Sequence, residues 1–322
     1  MIRFENVSKE YTVGEPVVSD FSLEIKDQEF FVLIGPSGSG KTTTLKMINR
    51  LISLTNGFIR IDEKPISDYN LQELRWNIGY VLQQIALFPN MTVEENIRVV
   101  PEMKKWDNKK MHHRVTELLE SVGLDPEKYR HRKISELSGG EQQRIGVLRA
   151  LAADPDIILM DEPFSALDPI SKYNLQQDVV ELQRKLKKTV VFVTHDMQEA
   201  ITLADRICLM NHGKIEQIGT PDEILAHPKN DFVKKFLQTG LPDYKQPQTV
   251  QSIMDKGFYS SSIEGQSYTE TISSTAKLNI LLPLLAQQAV VGLLDEKGEV
   301  IGLLSQRNYI EYLAQEQQGG TQ

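Results

Sequence analysis

"GPSGSGKTTT" occupies Gly35 to Thr44, directly after the apolar run Phe30-Phe31-Val32-Leu33-Ile34. Three glycines, a lysine and three threonines make a poor core and a poor ordinary helix. Gly35-x-x-x-x-Gly40-Lys41-Thr42 fits the P-loop pattern, and it sits where that pattern needs to be, after a strand and before a helix. Glycines let backbone N–H groups turn inward and approach an anion closely. A helix starting at about Lys41 aims its positive end at the same point. Lys41 would bridge β- and γ-phosphate oxygens, and Thr42 would offer its hydroxyl to Mg²⁺. The nucleotide-binding residues of the loop are then Gly35, Ser37, Gly38, Ser39, Gly40, Lys41, Thr42 and Thr43. The competing reading is a Gly/Ser-rich surface turn.

Working outward, Ile2 to Val7, Val17 to Ile25, Phe58 to Ile61 and Ile78 to Leu82 read as strands. Ile157 to Met160 and Thr189 to Val193 read as buried strands. Ile207 to Met210 and Lys214 to Ile218 flank the turn signal Asn211-His212-Gly213. Lys41 to Ile52, Asp107 to Val122 and Tyr173 to Lys187 carry helical periodicity. The alternation predicts an α/β fold with a largely parallel sheet. Residues from about Ala86 to Ile134 read as helical without buried strands. Past about Gly240, Pro242, Pro247 and several glutamines suggest a linker, followed by a small helix-strand-strand-helix stretch to Ala314 and a disordered tail, residues 315–322.

The 322 residues suggest two domains. A net charge of −8 argues against an electrostatically driven nucleic-acid binder. The single cysteine, Cys208, cannot pair within the chain. Met1 to Glu10 carries charges and is not a signal peptide. No stretch reaches about 18 clean apolar residues; the nearest, Leu278 to Leu294, is interrupted by Asn279, Pro283, Gln287 and Gln288. A cytosolic protein is expected, able to sit on a membrane through a partner.

A P-loop alone says only that a nucleoside triphosphate is held. Further motifs follow in order. Gln83 ends the strand Ile78 to Leu82; Leu137-Ser138-Gly139-Gly140-Glu141 precedes a helix; Asp161 and Glu162 end a buried strand; Ser165-Ala166-Leu167-Asp168 follows; His195 comes straight after Thr194. This ordered set resembles the nucleotide-binding subunit of ABC transporters over about residues 1 to 240. The fold implied is α/β: a P-loop ABC ATPase domain with a mixed β-sheet and a helical subdomain at about 86–135, then residues 241–314 as linker and small α+β CBS-like C-terminal domain.

The resemblance implies roles. The cofactors are ATP and Mg²⁺, the ion held by Thr42, Asp161 and Gln83. Glu162 is the general base, with Gln83 reaching the attacking water and His195 contacting the γ-phosphate. Gln84 stands next to Gln83, so a register one residue off is the alternative. Tyr11 would stack on adenine, or else pack at a strand end. Ser138, Gly139, Gly140 and Glu141 would address the γ-phosphate held by a second copy, with Asp168 across the interface, so that two ATP molecules lie head to tail in a homodimer. The bland reading of Leu137 to Glu141 is a helix N-cap with a Gly-rich turn. Glu141 departs from the frequent Gln, and Ser165 from the frequent Gly.

Ala86-Leu87-Phe88-Pro89-Asn90-Met91-Thr92-Val93 resembles the importer pattern, with Leu87, Phe88 and Met91 as anchors for an integral membrane permease or, alternatively, as core of the helical subdomain. Met47 to Ile52, Gln83 to Pro89 and Val100 to Trp106 resemble the osmoprotectant (quaternary amine) uptake ATPases, which serve glycine betaine, carnitine or choline. A substrate-binding protein or domain is an indirect partner, and nucleic acid is not one. The expected place is the cytoplasmic face of the membrane. Ergothioneine or a bile-related solute is the alternative cargo; a non-transport ABC ATPase and a non-hydrolysing regulator are the rival classes. In the tail, Leu278 to Gln288, Val290 to Asp295, Val300 to Ser305 and Arg307 to Ala314 resemble one CBS motif, with Pro283 interrupting its first helix and Thr249 to Ile263 as a candidate degenerate second copy. Ligand sensing and ligand-free dimer support are both open for it.

Overall fold

A computed structural model describes residues 1–241, 249–261, 268–276, 278–295 and 298–319. Pro242 and Pro247 of the expected linker, residues 262 and 263 of the candidate second copy, and residues 320–322 lie outside them. The chain divides into two compact units, Met1–Tyr244 and Lys245–Gln322.

The strands of the first unit are β1 (Ile2–Thr12), β2 (Glu15–Ile25), β3 (Phe30–Ile34), β4 (Asn56–Ile61), β5 (Lys64–Pro65), β6 (Ile78–Val81), β7 (Ile157–Asp161), β8 (Thr189–Thr194), β9 (Arg206–Asn211) and β10 (Lys214–Gly219). Six of them form one sheet in the order β10-β9-β3-β8-β7-β6. It is parallel except at β10, which returns antiparallel to β9 through the Asn211-His212-Gly213 turn. Every residue of β3, β7 and β8 is buried, as a parallel sheet covered on both faces requires.

The period of two in β3 decides what each face meets. Phe30, Val32 and Ile34 join a core shared with Ile145 and Leu148 of helix Gly139–Leu151 and with Leu175 and Val179 of helix Pro169–Leu186. Phe31 and Leu33 face the other way, into a core with Ile2, Phe4 and Phe21. That second core is closed by a separate antiparallel sheet, β2-β1-β4-β5, in which Phe4 and Phe21 meet edge to face at 5.3 Å. Three of its four strands were expected; the two-residue β5 was not, nor was their separation into a layer of their own. Cys208 of β9 lies fully buried in this core.

Helix Lys41–Ile48 is shorter than the expected Lys41 to Ile52. Ile52 keeps the apolar phase and still packs on the core, but Asn49 ends the helix and Arg50 takes φ +55°. Between β6 and β7 stand the helices Val93–Met103, Asn108–Ser121 and Pro126–Tyr129, started by Thr92, Asp107 and Asp125 caps; no strand occurs among the described residues there.

The second unit contains helix Val250–Asp255, β11 (Thr271–Ser273), helix Leu278–Gln287, β12 (Val290–Leu294), β13 (Val300–Ser305) and helix Gln306–Gly319. β11 pairs parallel with β12, and β12 antiparallel with β13. The core holds Val250, Ile253, Leu281, Leu285, Val291, Leu293, Leu304 and Tyr312. Two expectations change. Pro283 lies within the first long helix rather than breaking it, and the last helix runs past Ala314 to Gly319. β11 was not foreseen.

Candidate nucleotide site

The site residues gather at one edge of the six-stranded sheet. The loop Gly35–Gly40 follows β3, Gln83 follows β6, Asp161 ends β7 with Glu162 next, and His195 follows β8. In a parallel sheet the crevice outside the carboxyl ends of the strands is where ligands bind. Each residue reaches it because its strand stops there.

Gly35 is the tightest point of the loop. A Cβ added to it would lie 2.1 Å from the carbonyl oxygen of Met210 in β9. Gly40 caps the following helix with φ +97°, which favours a residue without a side chain. Lys41 is buried, and its ammonium donates to the Gly35 carbonyl at 2.8 Å and the Pro36 carbonyl at 2.9 Å, using two of three protons. Burial pulls its pKa below the ordinary lysine value, while the carboxylates of Glu162 and Asp161 act in the opposite sense. The hydroxyl of Ser39 is buried in the loop without a hydrogen-bond partner. A spare buried hydroxyl beside a lysine and a helix start is what a bound phosphate would satisfy.

Thr42 donates to Asp161 Oδ1 at 2.8 Å. Around Oδ2 stand the Tyr80 hydroxyl at 3.3 Å and the Lys46 ammonium at 3.7 Å. Burial first, then the charge of Asp161 and that hydrogen bond, push the Tyr80 phenol well above its ordinary range. A hydroxyl and a carboxylate in contact are a hard-oxygen pair that fits Mg²⁺, which takes few protein ligands and completes its shell with phosphate and water. Among the described residues no group of three His, Cys, Asp or Glu side chains could hold a metal by itself.

Glu162 has φ +45°, a left-handed conformation unusual for a side-chain-bearing residue, and its N–H donates to Val193 in β8 at 3.0 Å. This turns its carboxylate away from Asp161's role and toward two other elements. Oε2 meets the Gln83 amide at 3.3 Å and His195 Nδ1 at 3.2 Å. Directly after His195 the chain is anchored: Asp196 caps the next helix and joins Lys172 at 2.6 Å, and Lys172 reaches Glu199 at 2.7 Å.

Ser138, Gly139, Gly140 and Glu141 stand apart. Ser138 caps helix Gly139–Leu151 in a reciprocal capping box: Glu141 Oε2 accepts from the Ser138 N–H and hydroxyl, both at 2.8 Å. Tyr129 donates to Glu141 Oε1 at 2.6 Å. That bond first, with the Ser138 donors and the Arg132 charge, holds the Glu141 carboxyl below its ordinary value against the opposing effect of burial. Among the described residues no hydrogen bond joins Ser138 or Glu141 to the phosphate loop. Asp168 accepts from the Ser171 N–H at 3.1 Å at the start of helix Pro169–Leu186. Tyr11 is 62% exposed at the end of β1, with the Lys9 ammonium 5.0 Å from its ring centre. Its ring faces solvent instead of packing under the strand. Leu87 is buried in the core, whereas Phe88 is 46% and Met91 37% exposed.

Tyr80 and Lys46 were missed. Tyr80 sits at the partly open position of an otherwise buried strand, the one place in β6 from which a side chain can leave the core.

A model of the family described as "ABC transporter" matches residues 18–165. The glycine betaine/carnitine/choline transport ATP-binding protein OpuCA of Bacillus subtilis is 56% identical over 237 residues, 74% of this chain and 62% of that protein. The chain thus spans somewhat under two thirds of that relative. The choline transport ATP-binding protein OpuBA of the same organism is 48% identical over 305 residues, covering 93% of this chain and 76% of that protein. That match is longer than the first unit and so extends into the second. Among solved structures, the ATP-binding cassette MJ0796, a dimer in a post-hydrolysis state bound to ADP and phosphate, superposes with a TM-score of 0.61 at 35% identity, covering 69% of this chain and 99% of that one. With the phosphate loop, Gln83, Asp161, Glu162 and His195 at one sheet edge and with these relatives, the chain belongs to the ATP-binding proteins of ABC transporters.

Proposed function

We propose that the protein hydrolyses ATP to drive an ABC importer for quaternary amines such as glycine betaine, carnitine or choline. The observation that carries the chemistry is the meeting of Gln83, Glu162 and His195, from three different strand ends, on one carboxylate oxygen beside the phosphate loop. In this reading Lys41 and the N–H groups from Gly38 to Thr43 hold the β- and γ-phosphates, with Gly35, Ser37 and Ser39 shaping the loop. Thr42, Asp161 and Gln83 would hold Mg²⁺, which supplies charge neutralisation at the phosphate oxygens. Gln83 and Glu162 orient a water. Glu162 takes its proton as the water oxygen bonds to the γ-phosphorus and the bond to the β–γ bridging oxygen breaks, giving ADP and phosphate. His195 donates toward the γ-phosphate and steadies Glu162. Tyr11 stacks on the adenine.

Two copies close head to tail over two ATP molecules. Ser138, Gly139, Gly140 and Glu141 of one copy meet the γ-phosphate of the other, with Asp168 at the seam; the solved dimeric cassette bound to ADP and phosphate supports this arrangement. Phe88 and Met91 offer an exposed apolar pair for the permease, while Leu87 serves the core. The protein works on the cytoplasmic face of the membrane through that permease, with a substrate-binding protein supplying the solute. No helix among the described residues is long and apolar enough to cross a membrane. The solute class rests on the names of the relatives, OpuCA and OpuBA. The order strand, helix, strand, strand, helix in the second unit supports its reading as a CBS-like regulatory module.

The test is uptake of labelled glycine betaine, carnitine and choline by the source cells carrying the intact protein or Glu162→Gln. Loss of uptake of one solute in the variant is expected. Unchanged uptake of all three would remove the quaternary-amine reading.

A further inference from the structure

Arg149 is a charged side chain in a place that does not reward charge. It projects from the last turn of helix Gly139–Leu151. Its Nη1 donates to the carbonyl of Ala86 at 2.6 Å, across 63 residues of sequence, and its guanidinium lies 6.0 Å from the ring centre of Phe88. Among the described residues it makes no ion pair with a carboxylate. Desolvation alone lowers its pKa. Arg149 is half-buried with no counter-charge beside it, so part of the cost of leaving water falls on it without an ion pair in return. What an apolar residue could not do is grip a carbonyl and an aromatic face together.

The two ends of this contact belong to different parts of the machine. Ala86 and Phe88 follow Gln83, whose amide meets Glu162. Arg149 stands roughly 16 Å along a helix from Ser138, a rigid rod at 1.5 Å per residue. We infer that Arg149 is a positioning residue that ties the Gln83–Phe88 segment to the rod carrying Ser138, so that a load on Phe88 moves Ser138. This rests on the importer reading above, in which Phe88 meets the permease and Ser138 meets the second copy's ATP.

The experiment compares Arg149→Met, Arg149→Lys and Glu162→Gln in two assays. One is ATP turnover by the purified full chain, without permease. The other is solute uptake in the source cells with each variant at equal expression. Arg149→Met should keep purified turnover within about twofold and lose roughly 2- to 30-fold in uptake, the range over which coupling residues act. Arg149→Lys, which keeps one donor for the Ala86 carbonyl, should recover part of the uptake. Uptake unchanged in Arg149→Met, or turnover and uptake falling together, overturns the inference. If Arg149→Met does not fold, Arg149→Lys decides alone: uptake falling while turnover holds supports the link, and parallel change removes it. If Glu162→Gln leaves uptake intact, the importer reading itself fails, and that result is distinct from either outcome for Arg149.

Discussion

Replacing Gly35 by alanine tests whether the phosphate loop is pressed against the sheet as tightly as the structure shows. The added Cβ would stand 2.1 Å from the Met210 carbonyl oxygen, whereas real Cβ atoms essentially never come within 3.0 Å of a neighbour. Relief needs a shift of about 1 Å, and the obstacle is backbone. Met210 lies in β9, paired with β3 on one side and β10 on the other, so the strand has little room to yield. Overpacking of this kind costs about 1–3 kcal/mol, and a fixed carbonyl puts Gly35→Ala at the upper end. For a unit of this size each kcal/mol lowers Tm by about 2–4 °C, so the first unit should melt roughly 6–12 °C lower. The displaced loop should also bind ATP more weakly. Gly146→Ala is the control. Gly146 lies inside helix Gly139–Leu151 with open space where its Cβ would go, so alanine should stabilise by about 0.5–1 kcal/mol. Thermal unfolding and ATP titration of the full chain read both. If Gly35→Ala melts within about 1 °C of the parent and binds ATP equally well, the tight seat assigned to Gly35 is wrong.

Glu162→Gln should bind ATP and lose about 10²–10⁴ in turnover, measured as phosphate release; a normal rate would dismiss Glu162 as the base. Lys41→Ala, which empties the seat held by the Gly35 and Pro36 carbonyls, should weaken ATP binding or turnover by at least about tenfold, and unchanged titration and turnover would contradict its role. Tyr129→Phe bears on acid stability. The folded Glu141 carboxyl titrates below its ordinary value of 4.5, so its stabilising contribution is complete above that pH and fades as pH falls through the lower folded value. Removing the Tyr129 hydroxyl, the largest cause of that depression, should flatten the fall of Tm below pH 4.5; an unchanged acid limb would mean the bond contributes nothing.

The depth of burial along β3, β7 and β8 was legible because continuous apolar runs between turn residues have few other homes. The partition of Phe30, Val32 and Ile34 from Phe31 and Leu33 was implicit in the alternation, but the layer waiting on the second face could not be read from it. Helix Lys41–Ile48 was overrun because Ile52 keeps the apolar phase after the backbone has turned at Arg50. β11 escaped because three residues, Thr-Ile-Ser, hold no periodicity. Pro283 was overvalued as a breaker: the helix around it is held by Leu281 and Leu285, both buried on the second unit's core. The site divides similarly. The loop declared its chemistry through glycine spacing, whereas Gln83, Glu162 and His195 come from strand ends far apart in sequence and acquire meaning from motif order. Tyr80 and Arg149 belong to no motif, and only the folded contacts disclose them.

Cys208 has a practical corollary. It is the chain's one thiol, fully buried in the central sheet, with burial holding it protonated. An alkylating reagent can reach it only when β9 opens, so labelling rate under native conditions clocks the opening of the nucleotide-bearing core. The same silence frees the surface. A cysteine introduced at Ser138 or at a loop position would report cross-linking between copies against a native background that does not react.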